Sequence, residues 1–76
     1  MERLEADALA EKHRLDIEWF RSRPGYEPAA WCMVRDRARV VFLDREPQRG
    51  RDIAEAEDAL AVRVIQAIRL DYLRTR

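Results

Sequence analysis

Two short runs in the middle of the chain, Trp31-Cys32-Met33-Val34 and Val40-Val41-Phe42-Leu43, are apolar at consecutive positions rather than alternate ones. Strands covered on both faces read this way. The chain has only 76 residues, a single domain's worth. A domain of about 60 residues buries only about 60% of the surface its unfolded form exposes. Covering both faces of a sheet is hard for a chain of this size, so the pattern implies a partner.

Residues 2–21 read as a first helix. At about 100° per residue, Ala6, Leu9, His13, Ile17 and Phe20 fall on one arc. Met1, Leu4, Ala8, Leu15 and Trp19 fall on a neighbouring arc. Arg3, Asp7, Glu11, Arg14, Glu18 and Arg21 fall opposite, with Arg14–Glu18 and Glu18–Arg21 spaced for helical ion pairs. Two apolar stripes mean two buried contacts. Either one meets a partner, or the whole width packs internally. Pro24-Gly25 suits a type II turn that stops the helix, and Pro28 closes the loop.

Residues 30–35 and 39–44 read as a hairpin spanning 30–44, rich in β-branched and aromatic residues. The connection Asp36-Arg37-Ala38 lacks the glycine that tight hairpin turns favour. One bent helix over 29–44 is the rival reading. Asp52-Ile53-Ala54-Glu55 matches a capping box and opens a second helix over 52–74. Its apolar side, including Ile53, Leu60, Val64, Ile65, Ile68 and Tyr72, covers about half the circumference, wider than the usual stripe.

The expected fold is therefore α+β, helix–strand–strand–helix, with two long antiparallel helices packed on the hairpin. Each helix is about 30 Å long and six-residue strands span about 20 Å, so the helices overhang. A lone hairpin is also marginal in water. A homodimer about a two-fold axis answers both problems, with Leu4, Ala8, Leu15, Trp19, Ile68 and Tyr72 as the expected interface.

Charge narrows the chemistry. Fifteen basic and fifteen acidic groups give a formal net charge of zero. Residues 21–51 nevertheless carry +4, against −3 before them and −1 after. Fourteen of the basic residues are arginine, which favours bidentate recognition of carboxylate or phosphate but also follows from a GC-rich genome. Arg35, Arg37, Arg39 and Arg45 gather on the hairpin, while Arg21, Arg23 and Tyr26 share the preceding loop. These seven are the candidate partner-binding residues, Arg and Tyr being enriched at binding hot spots. A two-stranded ribbon with arginines can also enter a DNA major groove. Asp36, Asp44 and Glu46 interrupt that patch, and a pI near 6.6 is low for a nucleic-acid binder.

The chain offers little for catalysis. It has one His, one Cys, one Ser and one Thr, and no Asn. A nucleophile, its base and an orienting group need more than Ser22 and His13. Cys32 and His13 are too few for a zinc site. The paired carboxylates Glu55/Asp58 and Asp7/Glu11 read as solvated helix faces. No metal or cofactor is expected, and no catalytic residue is assigned. No run approaches the ~20 apolar residues of a membrane span. No signal peptide is visible, and the single cysteine suits a reducing, cytoplasmic setting. The expected function is non-enzymatic: a small accessory, regulatory or inhibitory protein, of the compact kind phages and mobile elements encode, that binds another protein or itself. A DNA- or RNA-binding regulator is the alternative.

Overall fold

The computed structural model describes residues 2–44 and 46–73, without the side chains of Tyr72 and Leu73. Met1, Arg45 and the end of the second helix expected at residue 74 lie outside the described residues, as does the Tyr72 side chain. The protein is α+β. Helix α1 spans Glu2–Lys12, and four strands follow: β1 Asp16–Arg21, β2 Ala29–Asp36, β3 Arg39–Leu43 and β4 Gln48–Arg49. Helix α2 spans Ile53–Ile68 and runs on into a π-helical turn over Arg69–Leu73.

The main departure from expectation is at residues 13–21. The helix expected over 2–21 ends at Lys12, and its second half is a strand. The end is a Schellman motif: Leu15 N–H donates to the Ala10 carbonyl at 2.8 Å and Arg14 N–H to that of Glu11 at 3.1 Å, the two bonds that define it. Arg14 takes the left-handed position at φ 56, where glycine is usual. The two buried apolar residues of the motif, Ala10 and Leu15, seal it. Beyond it, Asp16-Ile17-Glu18-Trp19 alternates polar and apolar with period two, and the sheet takes it. The expected helical ion pairs of Glu18 with Arg14 and Arg21 are replaced by one across strands, Glu18 with Arg35.

The sheet is antiparallel, in the order β1-β2-β3, with β4 pairing the start of β2. Asp16 lies opposite Arg35 and Arg21 opposite Ala30. Asp36 pairs with Arg39, so the β2–β3 turn is the two residues Arg37-Ala38. Arg37 sits at φ 57, the sign a primed hairpin turn requires at its first central position. Val34 faces Phe42 but Arg35 faces Val40, so Val41 is the extra residue of a bulge. Three passes of strand, rather than two, return the chain to the opposite end of the sheet. That removes the reason to expect antiparallel helices, and α1 is not long.

Both helices cover one face. Ala30, Cys32 and Val34 on β2 are 0% exposed and share a cluster with Ala6 and Ala10 of α1 and with Leu60, Val64 and Ile68 of α2. Small residues line the helix side of this core (Ala6, Ala10, Ala56 and Ala61), which lets backbones approach closely. Leu15 and Ile68, expected at a dimer interface, are spent inside this core, and Trp19 packs against it. Leu4 and Ala8 are exposed.

Candidate functional site: an open sheet face and a basic rim

The alternate residues of the strands point away from the helices, and no described helix or strand packs over them. Register places Asp16, Glu18 and Phe20 of β1 beside Arg35, Met33 and Trp31 of β2, with Leu43 and Val40 of β3 beyond. Phe20 stacks on Trp31 with ring centroids 6.0 Å apart and planes 13° from parallel. Phe20 is 39% exposed, Val40 48% and Leu43 55%, while Trp31 and Met33 are half-buried. The consecutive apolar run thus splits in two: Cys32 and Val34 face the helices, Trp31 and Met33 face outward. The centre of this open face is apolar, and its charges are largely paired: Glu18 with Arg35, and Arg49 with Glu27 at 2.8 Å.

The two groups of candidate arginines, hairpin and loop, lie at opposite ends of β2. Arg37 and Arg39 are at the β2–β3 turn, whereas Arg21, Arg23 and Tyr26 are at the β1–β2 loop. An eight-residue strand separates them by about 25 Å. Arg39 lies 3.7 Å from Asp36, and Arg35 is held by Glu18, so the hairpin cluster is partly neutralised. Arg45 falls outside the described residues.

The β1–β2 loop is built as its sequence implies. Tyr26 N–H donates to the Arg23 carbonyl at 3.2 Å, and Gly25 takes φ 91, the position where a type II turn requires glycine. Ser22 braces the loop: its hydroxyl donates to the Glu27 carbonyl at 2.8 Å and accepts from Ala29 N–H at 3.1 Å. A shallow cleft of about 520 Å³ lies here, lined by Arg21, Arg23, Tyr26, Arg51 and Asp52 among others. Neither Arg21 nor Arg23 has an ion-pair partner among the described residues. Tyr26 is 73% exposed.

Behind the sheet, α1 is tied down by a chain of contacts. Trp19 Nε1 donates to Asp7 at 2.8 Å. The Arg3 guanidinium lies 5.0 Å over the Trp19 ring and pairs with Glu57 of α2. Arg3 and Asp7, expected on the solvent side of a long helix, therefore face β1. Asp44 plays a similar part at the break between β3 and β4. Its side chain is 6% exposed and accepts from Arg63 of α2 at 2.9 Å. No signal for that pair exists in the sequence, since the two residues are nineteen apart and belong to no motif.

The residues with catalytic potential do not converge. Ser22 and His13 lie beyond opposite ends of β1, a strand about 20 Å long. Cys32 is buried, and that burial, with the nearby Asp44 carboxylate second, pushes its thiol from 9.0 up to about 12. Among the described residues no three His, Cys, Asp or Glu side chains are grouped to hold a metal ion. No described helix is long and apolar enough to cross a membrane.

Comparison with protein-family models, with curated proteins and with solved structures finds no match. The class is therefore defined by the fold itself: a small α+β protein with two helices on one face of an antiparallel sheet.

Proposed function

We propose that this chain is a non-enzymatic interaction protein, accessory, regulatory or inhibitory, which works as a pair of copies and docks an apolar surface of another protein onto its open sheet face. The observation that carries this reading is the uncovered stack of Phe20 on Trp31, with Met33, Val40 and Leu43 around it. A sheet with apolar residues on both sides needs a layer on each side, and the described residues supply one. The partner's chemistry follows from the surroundings. An apolar centre rimmed by charges already paired to one another matches the anatomy of a protein interface. It offers little to phosphate, because Arg35, Arg39 and Arg49 each have an acid beside them.

The test is affinity capture under nuclease treatment, comparing the natural chain with Leu43→Glu and Met33→Glu. Both variants are expected to fold and to lose the captured protein, with wild-type binding little changed by salt. Retention on duplex DNA that falls steeply with salt, and that disappears in Arg37→Glu with Arg39→Glu, would instead establish the nucleic-acid reading.

A further inference from the structure

We infer that β1 is the seam between the two copies: its free edge pairs antiparallel with the same edge of a second chain, making one continuous sheet. This rests on the paired-copy part of the proposed function and names the surface that performs it.

The two edges of the sheet differ. The β3 side is blunted in ways that block strand addition: a bulge at Val41, a break after Leu43 where Asp44 is tied to Arg63, and a two-residue β4. β1 has none of these devices. It is six residues long, without proline, glycine or bulge. Its inner edge pairs with β2, and no hydrogen bond from a described residue reaches the backbone groups of its outer edge. Such a row is a template for another strand.

The strand is also complementary to itself. Acidic Asp16 and Glu18 lie at its start, and Arg21 and Arg23 at and just beyond its end. Asp16, Arg21 and Arg23 have no ion-pair partner among the described residues. Antiparallel pairing about a two-fold axis brings the acidic end of one copy to the basic end of the other. The axis keeps helices with helices, so facing residues must differ by an even number. A centre on Glu18 would set that acid against its own copy, which is unfavourable. A centre on Trp19 pairs the whole strand. It sets Ile17 opposite Arg21 of the second copy on the helix side and Asp16 opposite Ser22 on the open side. The acidic and basic ends then lie one strand spacing apart and attract across the seam without direct pairing. The open faces of the two copies then merge, with their Phe20–Trp31 stacks side by side.

Sedimentation over a concentration series tests this, with amide hydrogen exchange of β1 followed over the same series. The expected result is a species of twice the 9.0 kDa chain mass and alternate β1 amides that exchange more slowly as it forms. Arg21→Asp with Arg23→Asp, both at exposed positions, is expected to weaken association roughly tenfold, and adding Asp16→Arg to restore it. A dimer indifferent to these changes, with β1 exchange independent of concentration, overturns the seam but leaves the paired-copy reading standing. A 9.0 kDa species at every concentration overturns both.

Discussion

Cys32 shows how position decides the chemistry of one residue. It faces the helices from the middle of β2 and is 0% exposed. Burial raises its thiol to about 12, so at neutral pH it holds almost no thiolate, the reactive form. Iodoacetamide at pH 8 is expected to leave the folded chain unlabelled and to label it fully in denaturant, followed by mass spectrometry. The same shift has a stability consequence. The folded value lies above the unfolded one, so the contribution is complete below about pH 9 and is lost as pH rises toward 12. Melting temperature should fall over that range, and less so in Cys32→Ala. Glu55 has the opposite sign. It accepts from Arg51 N–H at 3.1 Å and pairs with the Arg51 side chain at 3.0 Å. Those contacts, the backbone bond first, hold its carboxyl below the ordinary carboxylate value. Its contribution is therefore present at neutral pH and disappears as pH drops through that lowered value. The advantage of the natural chain over Glu55→Gln in thermal melts should vanish in acid.

At the scale of elements, the sequence declared what its punctuation declared. Asp52 caps α2 by accepting from Glu55 N–H at 2.8 Å, as the box pattern implies. Glu55 reaches back to Arg51 rather than to the cap residue itself. Pro24-Gly25 marks its turn, and β-branched residues bounded by prolines mark the β2–β3 hairpin. The end of α1 carried no such mark, because Arg14 occupies a position that glycine usually announces. The polar residues at 7, 11, 14, 18 and 21 fitted a helical face as well as Ile17 and Trp19 fitted a strand. Tertiary packing settled the matter by placing Leu15, Ile17 and Trp19 on the core. The left-handed position costs a side-chain-bearing residue about 1–2 kcal/mol, and glycine's greater freedom in the unfolded chain offsets part of the gain. Arg14→Gly should therefore stabilise by about 0.5–1 kcal/mol, a rise of several degrees in melting temperature. The core of α2 sets the contrasting magnitude. Leu60 is fully buried, and Leu60→Ala should cost about 2–5 kcal/mol, measured by denaturant unfolding.

At the scale of the molecule, one fact organises the rest: both helices pack on one face of the sheet, and no described helix or strand packs on the other. The doubly apolar run 31–34 and 40–43 was the legible part of this. Which residues would face outward was not, because a run without alternation leaves register undetermined, and the pairing of β1 with β2 fixes it. The consequence is a sharp asymmetry between neighbours in sequence. Val34 and Met33 are adjacent and similar in size, but Val34 is 0% exposed among the helices and Met33 lies on the open face. A chain of this length has a total stability of only about 4–11 kcal/mol. Placing an unpaired carboxylate at Val34 costs several kcal/mol, enough to unfold much of the population. At Met33 the same group reaches water, and the cost should stay below about 1 kcal/mol. Val34→Asp is thus expected to lose its cooperative melt, while Met33→Asp keeps a near-native far-ultraviolet spectrum and melting curve. If Met33→Asp unfolds as readily as Val34→Asp, the outer face is covered within the single chain, and no surface is left there for a partner to occupy.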